Sequence, residues 1–167
     1  SLASFSPKIS TMVGIPRSCA AFAGPSAGSI PKTLIPLLAK CGANSCRTWS
    51  TETPGHTAKE FLDLAHKHNL TVTLGLDVKK ERLCFDYNDE SAVKKQFDYI
   101  KGEVLKYKDH PALLVWGIGN ELNLNYTNPK VWDAVNDIAR MIHEVDPNHP
   151  TTTMLAGIKS FDVQEIA

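Results

Sequence analysis

One segment of the sequence joins an apolar strand to residues that could carry acid–base chemistry. Residues 112–118 are apolar nearly throughout, and Gly119, Asn120 and Glu121 follow them directly. A carboxylate just past the end of a parallel strand lies where ligands bind in α/β sheets and barrels. A glutamate held there can donate and accept a proton during a reaction. The segment therefore makes Glu121 a candidate general acid/base, with a solvated loop residue as the alternative.

The elements that must position this residue alternate between helix and strand from about residue 31. Apolar periodicity and turn residues predict their order. The predicted strands cover residues 44–49, 70–78, 112–118 and 151–156, and the predicted helices cover residues 31–40, 57–69, 89–108 and 129–145. Single helical crossovers between strands indicate a parallel sheet with right-handed connections. Periodicity alone allows either a doubly wound sheet or a closed barrel.

Local signals mark where two of the helices begin. Thr57 and Glu60 have the spacing of a capping box, which satisfies two backbone N–H groups at a helix start. Asn128 before Pro129 is typical of an N-cap followed by a first-turn proline. Both signals agree with the apolar stripes that follow them.

The composition gives no support for two classes of partner, nucleic acid and membranes. Lys and Arg number 18, as do Asp and Glu, so the formal net charge of the 167 residues is 0. Without a basic excess, nothing favours nucleic acid or an anionic membrane, and no apolar run approaches the roughly 20 residues of a membrane span. A neutral sugar fits this balance, as do many other ligands. No metal or cofactor is implied.

The four cysteines leave the cellular compartment open. Cys19, Cys41, Cys46 and Cys84 match no zinc or thioredoxin spacing, and Cys46 lies in an apolar run where thiols are usually buried. Structural thiols and a disulfide are both compatible with this pattern. The chain begins at Ser1, so a signal segment could precede it or have been removed, and the localisation is not determined.

The segment covering residues 110–121 resembles the fourth-strand motif of retaining glycoside hydrolases built on (β/α)8 barrels. Its His-Pro opening and its Trp-Gly-Ile-Gly-Asn-Glu ending are most similar to the catalytic domain of glycoside hydrolase family 2. Residues 42–49 resemble the second strand of that barrel, residues 70–77 lie where the third is expected, and residues 146–151 resemble the lead into the fifth. The resemblance covers about residues 31–160.

This resemblance implies a division of the chain and a fold. Residues 31–167 would form part of a glycoside hydrolase TIM-barrel domain, an α/β fold comprising about the first five βα units of a (β/α)8 barrel. Residues 1–30 are poorly readable, and we expect them to contain a first strand at about residues 12–22.

The same resemblance implies roles for the residues around the motif. Glu121 would protonate the leaving glycosidic oxygen and then deprotonate the attacking water, and Asn120 would hydrogen-bond the sugar's 2-hydroxyl. Arg47 would orient the nucleophilic carboxylate and hold it anionic, with a surface arginine as the alternative. The substrate would be an oligo- or polysaccharide.

Three further residues are candidate contacts for the sugar, each with a structural alternative. Trp49 would stack on a sugar face or belong to the core. Asp77 would line the same rim or cap a helix. Asn123 would touch the substrate or be an ordinary loop asparagine, since loops are rich in this residue.

The motif supplies only one of the two carboxylates that a retaining mechanism needs, roughly 5–5.5 Å apart. In the family it resembles, the nucleophile is a glutamate at the end of the seventh strand, whereas the predicted strands reach about the fifth. A complete barrel takes about 250 residues. We therefore expect a fragment that lacks its nucleophile, is poorly active alone, and exposes strand edges through which it could self-associate.

Two other interpretations of the sequence stay open. One is a non-catalytic carbohydrate-binding or scaffold remnant that keeps the rim of the fold but not its chemistry. The other is an unrelated α/β domain that carries Asn-Glu by chance. Residues 42–49 and 110–121 match the barrel in the expected order, which argues against the unrelated domain.

Overall fold

The computed structural model describes residues 10–11, 30–53 and 56–157. The first strand predicted at about residues 12–22 lies outside these residues, as does any helix after residue 157. The predicted division at residue 30 also falls at the edge of the described part.

Helices and strands alternate along the described chain as the sequence predicts. In order they are β1 (Ser10–Thr11), α1 (Ile30–Lys40), β2 (Ser45–Arg47), β3 (Glu52–Thr53), β4 (His56–Thr57), α2 (Ala58–Lys67), β5 (Thr71–Leu76), α3 (Glu90–Tyr107), β6 (Leu113–Asn120), α4 (Lys130–Val145) and β7 (Thr151–Met154). A single 3₁₀ turn, Glu81–Leu83, lies in the loop between β5 and α3. The short β3–β4 hairpin was not predicted from the sequence.

The order of the strands identifies the winding of the sheet. The five-stranded sheet has the order β1-β2-β5-β6-β7, and the pairs from β2 to β7 are parallel. Each helical crossover thus returns the chain to the adjacent strand without the reversal of order that defines a doubly wound sheet. Sequential winding is that of a (β/α)8 barrel, so the predicted partial barrel is confirmed. The edge strand β1 departs from this pattern because it pairs antiparallel with β2.

The predicted helix starts hold with one shift. Thr57 Oγ1 accepts a hydrogen bond from Glu60 N at 3.3 Å, and a Glu60 carboxylate oxygen accepts from Thr57 N at 3.2 Å, which completes the capping box. The regular part of α4 begins at Lys130, one residue later than predicted, but Pro129 already has helical backbone angles and so belongs to the first turn, as the sequence predicts. Asn128 still contributes, since its side-chain oxygen accepts from the N–H of Lys130 at 3.1 Å.

The core lies between the helices and the sheet. On α3 the predicted stripe buries Ile100, Val104 and Tyr107, and on α4 it buries Ile138 and Ile142. They belong to one buried cluster with the central-strand side chains Val72, Leu74, Leu76, Trp116 and Ile118. Burial on this scale stabilises each large aliphatic side chain by roughly 1.5–3 kcal/mol relative to exposure. This core holds the carboxyl ends of β5 and β6 in register.

A buried polar contact joins β6 to the turn before β7. The indole Nε1 of the fully buried Trp116 donates to Asp146 Oδ2 at 2.7 Å. Asp146, itself 2% exposed, also accepts from Asn148 N at 3.3 Å, and Nδ1 of His149 lies 2.8 Å from its Oδ2. Desolvation tends to raise the pKa of Asp146, but the hydrogen bonds from Trp116 and His149 together bring this pKa below its ordinary value.

Gly75 allows the chain that leaves β2 to lie directly against β5. A Cβ at this position would be 2.5 Å from the backbone carbon of Trp49 and 2.6 Å from the carbonyl oxygen of Thr48. Its N–H also donates to Thr48 Oγ1 at 3.0 Å. Gly117 is the register partner of Gly75 on β6, but a Cβ there would meet only the mobile end of Met154 at 2.8 Å.

The substitution Gly75→Ala should destabilise the protein more than Gly117→Ala. The first pushes a methyl group into backbone that cannot move independently, for which overpacking costs of about 1–3 kcal/mol are typical. The second needs only a rotation of the Met154 side chain. Urea unfolding of the two variants measures the difference, and equal losses would contradict the close approach of residues 48–49 to β5.

The substitution Asp146→Asn should lower stability at pH 7 by about 1.5–3 kcal/mol, the range for hydrogen bonds to a charged group. Because the folded-state pKa of Asp146 is lowered, its contribution is present above the unfolded value of about 3.9 and is lost as the pH falls through the folded value. The free energy of unfolding should therefore change less between pH 7 and pH 3 for this variant than for the wild type. Asp137→Asn, at an exposed site on α4, is the control and should leave that difference unchanged.

Candidate active site

Glu121 leaves the end of β6 through an unusual backbone conformation. Gly119 and Glu121 both lie in the left-handed region, with φ values of 70° and 55°. Glycine accepts this region without strain, whereas a residue with a side chain costs roughly 1–2 kcal/mol. Asn120 between them is 5% exposed, while the side chain of Glu121 is 42% exposed. A buried amide is therefore followed directly along the chain by an accessible carboxylate.

The Glu121 backbone is hydrogen-bonded from both sides. Its N–H donates to the carbonyl oxygen of Met154, at the end of β7, at 2.7 Å. Its own carbonyl oxygen accepts from Nη1 of Arg82, and Nη2 of Arg82 lies 3.5 Å from Glu121 Oε2. A neighbouring strand and a neighbouring loop thus hold the residue in its left-handed conformation.

Arg47 reaches Asn120 from the end of β2. Its Nη1 donates to Asn120 Oδ1 at 3.4 Å. The amide nitrogen Nδ2 of Asn120 is buried and has no hydrogen-bond partner among the described residues. Buried polar groups are nearly always paired in folded proteins, so a buried N–H donor without a partner calls for a ligand or an ordered water.

The charges of Arg47 and Glu121 are close enough to interact. Burial lowers the pKa of the Arg47 guanidinium, and the nearby Glu121 carboxylate acts in the opposite direction. Arginine nevertheless stays charged at all ordinary pH values. The structure therefore brings Arg47 into contact with Asn120 and near Glu121, at the carboxyl ends of β2 and β6, and the roles of these residues in a reaction stay predictions.

The other three predicted site residues have structural contacts of their own. Trp49 is partly buried, and its backbone packs on Gly75. Asp77 directly follows β5 and pairs with Lys79 Nζ at 2.5 Å. Asn123 braces the segment after β7, because it accepts from Ala156 N at 2.9 Å and donates to the carbonyl of residue 157 at 3.3 Å.

Sequence reasoning missed Arg82 and Glu81. Both lie in the charged loop after β5, where Arg82 contacts Glu121 and Glu81 accepts hydrogen bonds from Thr127 and Asn128. The only sequence signal was a position a few residues past a strand end, which is where functional loops lie in α/β folds. Charged residues are common in such loops, and nothing in the sequence indicates that this loop reaches the next one.

A depression of about 460 Å³ lies beside these two residues. Its lining includes Glu81, Phe85, Asn88 and Asn128, which combine an aromatic ring with polar side chains. The lining also includes Asp86, whereas Arg47, Asn120 and Glu121 are not part of it. The depression is therefore a neighbouring surface feature and not the space around Glu121.

Other groups in the described part of the chain show little sign of reactivity. Burial raises the pKa of Cys46 to about 12, so this thiol is not a nucleophile at neutral pH. Within residues 10–11, 30–53 and 56–157, no cluster of His, Cys, Asp or Glu is arranged to hold a metal. No helix in the same residues has the length and apolar character needed to cross a membrane.

Two solved structures that superpose on this chain are β-glucuronidases. The β-glucuronidase of Bifidobacterium dentium, complexed with coumarin-3-O-glucuronide, superposes with a TM-score of 0.64 at 20% identity, covering 81% of this chain and 22% of that one. The β-glucuronidase of Parabacteroides merdae superposes with a TM-score of 0.57 at 17% identity, covering 77% and 16%. At these identities the likeness establishes the fold.

Sequence relatives also carry glycosidase names. The chain is 29% identical over 96 residues to a probable mannan endo-1,4-beta-mannosidase C from Aspergillus terreus, covering 47% of this chain and 24% of that protein. It is 33% identical over 73 residues to the mannan endo-1,4-beta-mannosidase F of Aspergillus clavatus, covering 43% and 17%. No protein-family model matches the sequence. The chain thus resembles glycoside hydrolases in sequence and fold, without a match that singles out family 2.

Proposed function

We propose that this chain is the acid/base-bearing part of a retaining glycoside hydrolase that cleaves O-glycosidic bonds of an oligo- or polysaccharide. The observation that carries the proposal is the arrangement at the end of β6. Asn120 is buried and held by Arg47, its amide nitrogen has no partner in the described structure, and the accessible Glu121 follows it directly. The glycosidase names of the sequence relatives support the same class.

Glu121 acts as the general acid/base. Its exposed carboxyl group can reach a glycosidic oxygen above the sheet, protonate it as the bond breaks, and later take a proton from the attacking water. General acid–base catalysis contributes about 10²–10⁴-fold to a rate.

Asn120 and Arg47 hold the sugar and the second carboxylate. Because Arg47 binds the amide oxygen of Asn120, the amide nitrogen is left as the donor available to a sugar 2-hydroxyl. A hydrogen bond to that hydroxyl strengthens as the sugar approaches the oxocarbenium-like transition state. The remaining positive charge of Arg47 would hold the nucleophilic carboxylate ionised. The His-Pro opening and the Trp-Gly-Ile-Gly-Asn-Glu ending of residues 110–121 most resemble family 2, to which we assign the domain within this proposal.

The nucleophile would come from a segment other than the described residues. A retaining mechanism needs a second carboxylate roughly 5–5.5 Å from the first. Asp77, which follows the neighbouring strand, is already paired with Lys79. The chain spans less than a quarter of the length of the sequence relatives it matches. On this proposal the 167 residues alone turn over substrate poorly or not at all.

A non-catalytic carbohydrate-binding protein is the second candidate. The pairing of Arg82 with Glu121 favours it, because this arginine competes with a substrate for the carboxylate. The distance of 3.5 Å and the exposure of Glu121 leave the carboxylate accessible, which favours catalysis. Saccharide binding without turnover by the complete protein would support the binding function and contradict the catalytic one.

In the full-length protein that carries this chain, Glu121→Gln should slow substrates with poor leaving groups by about 10²–10⁴-fold. Substrates with activated aryl leaving groups need little protonation, so bond cleavage should slow much less. The kcat/KM values for aglycone release from the two substrate types measure the difference, because kcat/KM reports bond cleavage and not the later attack of water. Glu144→Gln, on the outer helix α4, is the matched control and should leave both rates unchanged. Equal slowing of the two substrate types by Glu121→Gln would remove Glu121 from the acid role.

The substitution Asn120→Ala should lower kcat/KM about 10- to 100-fold on a substrate with a 2-hydroxyl, the effect of losing one well-placed hydrogen bond. A matching 2-deoxy substrate cannot make that bond, so the variant should lose much less on it. The ratio of the two losses separates the hydroxyl contact from any general disturbance of the strand. Asn136→Ala on α4 is the control, and equal losses on both substrates would refute the contact.

A further inference from the structure

Two adjacent charged residues join the loop after β5 to the loop after β6. Glu81 and Arg82 begin the 3₁₀ turn Glu81–Leu83, and their side chains bond to different parts of residues 121–128. We call residues 121–128 the acid loop, because Glu121 begins it and α4 follows shortly after it. Nothing in the proposed catalytic steps uses either charged residue.

Arg82 holds the start of the acid loop. Its Nη1 donates to the carbonyl oxygen of Glu121 and, at 3.4 Å, to that of Leu124, while Nη2 lies 3.5 Å from Glu121 Oε2. The side chain is only 19% exposed. Glu121 and Asn125 both adopt left-handed φ values of 55°. The guanidinium therefore binds carbonyl groups in the part of the loop whose conformation is least favourable without support.

Glu81 holds the end of the acid loop. Its carboxylate accepts from Thr127 N at 2.7 Å, from Thr127 Oγ1 at 2.5 Å and from Asn128 N at 3.0 Å. The hydrogen bond from the Thr127 side chain, followed by those from the two backbone N–H groups, lowers the pKa of Glu81. These donors lie just before α4, where backbone N–H groups have no partner within the helix.

The charges of Glu81 and Arg82 are complementary to the hydrogen-bonding groups of the acid loop. Its first part presents carbonyl oxygens, which a guanidinium binds, and its last part presents N–H and O–H donors, which a carboxylate binds. Apart from the contact with the Glu121 carboxylate, these bonds go to backbone groups or to a hydroxyl, so they fix the course of the chain. A pair of solvated surface charges would not show this division.

We propose that Glu81 and Arg82 are positioning residues that together fix the conformation of the acid loop. Through the loop they also fix the orientation of the Glu121 carboxyl group. Arg82 stabilises the left-handed conformation of Glu121, and Glu81 anchors the loop at the start of α4. The effect on the loop follows from the contacts alone. The effect on catalysis rests on the proposed function of Glu121 as acid/base.

Hydrogen exchange of the full-length protein tests the effect on the loop without reference to activity. Arg82→Met keeps most of the side-chain length but removes the donors, and Glu81→Gln keeps the shape but removes the charge. Each should speed amide exchange in residues 121–128 about tenfold or more, because each removes hydrogen bonds to a charged group. Arg140→Met, at an exposed position on α4, is the control and should leave this exchange unchanged. Unchanged exchange in both loop variants would overturn the proposal.

Kinetics of the same variants tests the consequence for catalysis. Arg82→Met should lower kcat about tenfold or more with a smaller change in KM, because a misdirected acid still permits substrate binding. Arg82→Lys should recover part of kcat, since an ammonium group can still reach a carbonyl oxygen. Faster exchange with unchanged kcat would overturn the link to catalysis and leave the loop contact intact. Failure of the acid role itself is reported separately by Glu121→Gln, whose leaving-group dependence does not involve Arg82.

Discussion

The left-handed backbone at Glu121 is the constraint on which the site depends. An extended strand would carry Asn120 and Glu121 to opposite faces of the sheet, because successive side chains in a strand alternate. At Gly119 and Glu121 the chain leaves the extended conformation, with the Asn120 amide buried and the Glu121 carboxylate partly exposed. Hydrogen bonds to Met154 and Arg82 stabilise this turn from the next strand and from the preceding loop.

The two ends of β6 have different roles, as they do in (β/α)8 enzymes generally. At its beginning, His110 Nδ1 accepts from the N–H of Ala112 at 3.1 Å, and its Nε2 lies 3.1 Å from Asp63 of α2. Further along, Trp116 donates to the buried Asp146. These contacts fix the strand to its neighbours. The carboxyl end carries the Asn120 amide and leads into the Glu121 carboxylate, and Arg47 reaches Asn120 there from the end of β2. The motif is therefore partly structural, since its His and Trp hold the strand whose end bears the chemistry.

Local physical chemistry explains why much of the fold could be predicted. The capping box at Thr57 and the apolar stripe of α3 depend on residues close in sequence, and both are present as predicted. Two local features were missed or shifted. The β3–β4 hairpin was not predicted, although Pro54-Gly55 between its strands is a turn signal, and the regular part of α4 begins at Lys130, one residue later than predicted.

The sequence by itself determined the alternation of strand and helix, the position of Glu121 after an apolar strand, and the alignment of Arg47 with the end of an earlier one. These follow from periodicity and chain order, which are local properties. Only the tertiary structure decided that the strands lie in sequential order, that Arg47 reaches Asn120, and that Arg82 contacts Glu121. The reason is physical: each of these depends on side chains or strands that are far apart in sequence, and packing of the whole sheet brings them within a few ångströms. The sequence around a loop arginine does not indicate which carbonyl group its side chain will contact.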